Sequence, residues 1–297
     1  MDFENFWNIY SNVVLTMGTN VLLALSIWLT LSCGMLSIAN AAFMGIGAYA
    51  SALLTTNYDV SYPVALAAGM GAPALIAAII GLPTIRLSGV YLAMATLAFG
   101  EVVRVILLNG DSWSGGARGV NGIPQYTEWW HVLLAVAVAL FVLWRMRKSK
   151  VGRAFDAIRG DETAANLMGI DVRATKMLAF VLGAAIAGLA GALSAHLTNF
   201  IGPNEYDFDR GVNILTMTIL GGIGGLTGPV LGAIIITILP EALRFLDDYR
   251  LIVNGLILVL IVLFLPQGIW DPVRLRRLFG RGGKGADKGT DKGAAHA

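Results

Sequence analysis

Apolar residues in this chain come in runs of membrane length separated by short polar breaks, without the two-residue alternation of strands. Nine runs are read as helices: Ile9–Leu31, Met35–Thr56, Tyr62–Leu82, Ser88–Asn109, Trp129–Trp144, Ala174–Thr198, Val212–Gly222, Pro229–Leu246 and Leu251–Leu265. A helix needs roughly 20 apolar residues to cross about 30 Å of hydrocarbon, and several of these runs reach that length. The stretch 211–246 is too long for one crossing, and GGIGGLTGP (Gly221 to Pro229) interrupts it. It is expected to form two short spans or a re-entrant pair. Glycine and proline at that depth are tolerated only where protein or a water-lined cavity satisfies the freed backbone groups.

One interval departs from the apolar rhythm. Arg145 to Lys176 reads RMRKSKVGRAFDAIRGDETAANLMGIDVRATK and holds eight of the 21 Lys and Arg residues. Ala154, Phe155 and Ile158 follow helical spacing between Gly152 and Arg159, with Arg153, Asp156 and Arg159 around the rest of the surface. Gly160 is expected to stop that helix and Asp161 to N-cap a second. Glu162 then falls in the first turn, where its charge suits the helix dipole, and Gly169 closes the segment. Ala164, Ala165, Leu167 and Met168 supply a small apolar face. The pattern predicts a two-helix docking knob with an exposed apolar ridge ringed by charge. An amphipathic loop lying on the membrane surface is the plainer alternative.

Composition narrows the class. Hydrophobic residues make up 56% and charged residues 13%, against about 25% charged in soluble domains. The fold class is therefore an all-α polytopic membrane protein with about nine transmembrane spans, and the long runs do not suit a β-barrel. Charge sets sidedness. The basic interval belongs in the cytoplasm, which puts the N-terminus outside after five spans and the C-terminus inside after four more. Arg86 then falls in an inner loop; Asp59, Asp111, Glu128, Glu205, Asp207 and Asp209 fall in outer ones. Residues 1–273 are read as the transmembrane domain, with a coupling region at 150–171. The tail 274–297, Gly-rich with seven Lys and Arg, is expected to be disordered, either touching anionic lipid or simply solvated. A net charge of +2 makes no case for nucleic acid. Met1 to Ser11 carries Asp2 and Glu4 and no cation, so no cleaved signal peptide is expected.

Candidate chemistry is sparse. Cys33 stands alone, and no His, Asp, Glu or Cys grouping has metal-ligand spacing. The Gly-rich break has no Gly-Lys-Ser/Thr, so it does not read as a phosphate loop. No catalytic, metal or cofactor residue is expected, and the chain is not read as an enzyme. Ser37, Asn40 and Thr96 are polar at lipid depth and are candidates for a transit path, with helix–helix hydrogen bonding as the competing role. Glu101 and Arg104, three apart, are expected to pair with each other, and His196 to be structural. Ala184, Gly188 and Ala192 recur every four residues, a stripe for close packing that could face a partner subunit. Gly45 and Gly47 suit close approach or local unwinding.

GRAFDAIRGDETAANLMGID followed by KMLAFVLGAAIAGLAGAL is similar to the coupling region and following helix of ABC importer permeases for branched-chain amino acids. LSCGMLSIANAAFMGIGAYASALL (Leu31 to Leu54), GVYLAMATLAFGEVVRVIL (Gly89 to Leu107) and ILTMTILGGIGGLTGPVLGA (Ile214 to Ala233) resemble the same family. SGGARGVNGIP (Ser114 to Pro124) resembles the LivM-type subunit. The resemblance implies a type II-like permease fold in the bacterial inner membrane, forming half of a transport pathway. Its partners would be a LivH-type permease, two cytoplasmic ATPases that carry the ATP and Mg, a periplasmic substrate-binding protein and membrane lipid. Gly152, Arg153, Phe155, Ile158, Arg159, Asp161, Glu162, Ala165 and Gly169 would form the ATPase coupling surface. The same frame could carry urea, an amide, an aromatic acid or a sugar. A secondary transporter would need buried coupling acids and broken repeats, which the chain does not present.

Overall fold

The computed structural model describes residues 3–242 apart from residue 112, with side chains from 11 to 241. The expected ninth span, Leu251–Leu265, and the tail 274–297 lie outside the described residues. Ten α-helices follow in order: α1 Phe3–Ser32, α2 Asn40–Tyr58, α3 Tyr62–Thr84, α4 Gly89–Leu108, α5 Trp129–Arg147, α6 Lys150–Gly160, α7 Glu162–Leu167, α8 Val172–Thr198, α9 Phe208–Gly221 and α10 Thr227–Ala242. Five of them, Ser11–Ser32 of α1 together with α3, α4, α5 and α8, are long and apolar enough to cross a membrane.

The second run departs from expectation. Its helix starts at Asn40, not Met35, and it is not among those five. Gly34, at φ +74°, ends α1, and the chain re-enters the body through residues 35–39 without helical structure. With Asn40, Ser51 and Thr55 in it, α2 is too polar to face lipid all round, and its first six residues are buried. It lies in the middle of the bundle between α3 and α8.

That central packing depends on missing side chains. A Cβ on Gly47 would strike the Gly188 backbone, and one on Gly191 would strike the Met44 carbonyl. A Cβ on Gly69 would lie 2.7 Å from that of Ala192. The stripe Ala184, Gly188 and Ala192 therefore faces α2 and α3 inside the chain, not a partner subunit, because backbone-to-backbone approach is possible only there. Phe43 fills the adjoining space, with ring centroids 5.5 Å from Phe99 and 5.4 Å from Phe180.

The helix α9, of 14 residues, is short of a full crossing and packs with α10 as a hairpin. Cβ atoms on Gly221 or Gly232 would collide with Gly228 or with the Met217 carbonyl. The turn 222–226 lies beside Trp28 and Arg147, at the end of the bundle that carries α6 and α7. The glycine break was expected at membrane depth; the structure instead places it at that end, next to a charged side chain. At the opposite end two loops are joined by a small antiparallel ladder, β1 (Val120–Asn121) with β2 (Phe200–Ile201), in register Val120↔Ile201. It is a minor departure from an all-α expectation.

Candidate coupling surface and transit path

The knob forms because its caps are written in the local sequence. Ser149 Oγ accepts from Val151 N at 3.2 Å and starts α6. A Cβ on Gly152 would collide with the Arg147 backbone, so glycine is what allows α6 to fold back against the end of α5. Asp161 Oδ1 accepts from the backbone N–H groups of Thr163 and Ala164, at 2.8 and 3.0 Å. Gly169, at φ +83°, donates to Asn166 O while Ile170 N donates to Ala165 O, the paired closure of a Schellman end.

The predicted exposed ridge is where the structure differs. Phe155, Ile158 and Ala165 are buried, with 3–4% exposure, and Gly152 is buried as well. They point towards the body, in part against Trp28, Leu29, Leu143 and Met146, because α6 has one apolar face and the bundle offers a dry surface for it. These four residues anchor the knob and do not form its outer surface. What faces outward is Arg153, Arg159, Asp161, Glu162 and Gly169, together with Leu167 and Met168, each 83% exposed.

Two further attachments lacked a sequence signal. Lys176, buried in the first turns of α8, donates from Nζ to Glu162 Oε2 at 2.6 Å. The pair straddles a helix end, so no periodicity links the two. Arg147 Nη2 donates to Gly224 O at 2.7 Å, and its guanidinium stands 5.9 Å from the Trp28 ring centroid. Trp28 Nε1 donates to Ile223 O at 3.1 Å. The root of the knob is thereby tied to the α9–α10 turn. Just past the end of α1, burial pushes the Cys33 thiol up to about 12, which keeps it protonated and inert.

Ser37, Asn40 and Thr96 are brought together, as candidates for one path should be, at the break before α2. All three are buried, with at most 2% exposure, and all are engaged. Asn40 Nδ2 donates to Ser26 Oγ at 2.8 Å, and Ser26 Oγ in turn donates to Leu23 O at 2.6 Å. Thr96 Oγ1 accepts from Ile38 N and donates to Ala93 O. Ser37 Oγ accepts from Ala39 N. Thr96 and Ser37 satisfy backbone N–H groups left free where α2 starts late, and Asn40 ties the start of α2 to α1. Glu101 and Arg104 do pair, at 3.1 Å, and Arg104 reaches on to Asn204 Oδ1. His196 is structural: Nδ1 lies 2.9 Å from Pro124 O and Nε2 3.0 Å from Ser51 Oγ. Pro124 O can only accept, so Nδ1 carries the proton.

Residues 9–262 match the family model described as branched-chain amino acid transport system, permease component. The chain belongs to that family. Among its relatives is the high-affinity branched-chain amino acid transport system permease protein LivM of Escherichia coli, 32% identical across 88% of this chain and 68% of that protein. LivH of the same organism is 35% identical over 47% of this chain and 45% of its own length. The probable ABC transporter permease protein YphD is 33% identical over 51% and 46%. No solved structure matches. As a permease component of an ABC transporter, this multi-pass chain of the bacterial inner membrane is not itself catalytic and carries no cofactor; the family implies an ATPase and a binding protein beside it.

Proposed function

We propose that this chain is a LivM-like half of an importer that takes up leucine, isoleucine and valine. A periplasmic binding protein delivers the amino acid, a LivH-type permease supplies the other half of the pathway, and two ATPases drive it. The reading rests above all on likeness to LivM over 88% of the chain. The knob α6–α7 is the coupling element. It takes hold of an ATPase through Leu167 and Met168 within the ring formed by Arg153, Arg159 and Asp161. Glu162, Gly152, Phe155, Ile158, Ala165 and Gly169 hold the element in shape.

The knob lies in the cytoplasm, with the N-terminus outside, in accordance with the positive-inside rule. ATP closure moves the permease only through contacts that differ between its two states. Displacement of the knob reaches α9 and α10 through the Arg147–Gly224 and Trp28–Ile223 bonds. The path itself runs along the outside of this chain, against the partner permease, because the polar cluster around Asn40 is closed. The loops joined by β1 and β2 receive the binding protein.

Reconstitution in liposomes with the two ATPases, the LivH-type permease and the binding protein should give leucine uptake that requires ATP. A cysteine at position 167 should cross-link to an ATPase added from the cytoplasmic side. Uptake without ATP, or cleavage of the knob by protease from the binding-protein side, would overturn the assignment. Cargo is read by titrating the binding protein with leucine, valine, urea and an aromatic acid.

A further inference from the structure

We propose that the pocket between the ends of α3 and α8 binds the phosphate of an anionic phospholipid. The pocket holds about 290 Å³ and is lined by Leu82, Ile85, Arg86, Arg173, Ala174 and Met177. Two arginines stand at its rim: Arg86 two residues past the end of α3, Arg173 in the first turn of α8. Among the described residues neither guanidinium takes part in a hydrogen bond or an ion pair. The nearby carboxylates are already committed. Asp171 Oδ1 caps α8 by accepting from Ala174 N at 3.0 Å, and Glu162 holds Lys176. Two cations that share one opening repel each other, and an anion placed between them removes that repulsion.

The shape of the pocket selects the kind of anion. One turn deeper, Gly81 lets Met177 press close, since a Cβ there would stand 2.8 Å from its Sδ. Ile85 is buried in the wall, while Leu82, 66% exposed, forms the outward lip. A lipid phosphate could sit between the guanidinium forks, which match phosphate geometry, while its acyl chain passes over Leu82 along α3. A free phosphate gains nothing from that apolar lip, and an acidic protein segment would have to bury carboxylates against it. Basic pockets between spans at the membrane surface are suited to anionic head groups. The proposal does not depend on which amino acid is carried or on which face is cytoplasmic.

The test uses the complete chain purified with its partner permease, with bound lipid counted by native mass spectrometry during titration with phosphatidylglycerol or phosphatidylethanolamine. Phosphatidylglycerol should bind in preference. Arg86→Gln with Arg173→Gln should weaken its retention by about tenfold or more, each single change by less. Arg86→Lys with Arg173→Lys should keep part of it, and Lys150→Gln all of it. Unchanged retention in the double glutamine variant, or phosphatidylethanolamine held equally well, overturns the proposal. So does displacement of the lipid by millimolar inorganic phosphate, which would make the site one for free anions. A melting temperature equal to that of the Lys150→Gln control shows that a lost lipid is not a lost fold.

Discussion

The knob α6–α7 and the break before α2 are both polar interruptions in apolar sequence, and they reach opposite ends. The break is buried, and each of its polar side chains is used inside the chain: Asn40 by the Ser26 hydroxyl, Thr96 by the Ile38 backbone, Ser37 by the Ala39 backbone. The knob is anchored by buried Phe155 and Ile158 and leaves Leu167 and Met168 at 83% exposure, with several charges around them. A polar group in a dry interior must find a partner inside the chain. At the membrane surface water meets that need, and the side chain remains available to a second protein. The break is therefore architecture, and the knob is the part free to be gripped.

Substitutions can break this contrast, beginning with the most damaging. Asn40→Asp removes the donor to Ser26 and places a carboxylate in a dry site; it should destabilise the protein by roughly 3–5 kcal/mol. Loss of folded protein in detergent, judged by gel filtration, is the expected result. Normal accumulation would show that water reaches the break and restore Asn40 as a path residue. On the knob, Leu167→Asp with Met168→Asp should lower ATP-driven uptake by about a hundredfold with melting unchanged, as expected when central interface residues are lost. Near-normal uptake would remove these two residues from the interface.

Glu162→Gln sharpens the comparison, because Glu162 sits on the knob yet acts towards the interior. Losing its charge leaves the Lys176 ammonium buried beside a neutral amide and should cost about 1–3 kcal/mol, less than a fully buried pair because Glu162 is half exposed. Adding Lys176→Met should recover most of the loss in a thermal melt. If the single change instead leaves stability intact and abolishes uptake, Glu162 touches the ATPase. The smallest effect concerns Cys33. Its thiol titrates near 12 in the fold and near 9 when free, so the unfolded chain loses its proton first. Stability should fall as pH rises from about 9 towards 12, and maleimide at pH 8 should leave the folded protein unlabelled while labelling it in denaturant.

Much of this was legible in the chain itself. The long runs appear as α1, α3, α4, α5 and α8, and the knob's caps at Asp161 and Gly169 fall where local chemistry put them. The pairing of Glu101 with Arg104 was legible too, because helix geometry brings i and i+3 together. The start of α2 was misplaced: apolar Met35, Ile38 and Ala39 suit helix and buried coil equally, and only the turn at Gly34 distinguishes them. The outward face of the knob was also misread. Spacing groups Phe155 with Ile158 on one side of a helix but does not say whether that side meets the bundle or a partner.

Length, apolarity, caps and charge are properties of neighbouring residues, so the order of residues alone determined a helical membrane protein with a basic two-helix interruption. Burial is a property of contacts between distant residues. Only tertiary structure decided that Gly188 meets Gly47, that Lys176 meets Glu162, and that Arg147 reaches the carbonyl of Gly224. Those meetings depend on how helices cross, and no period in the sequence records a crossing.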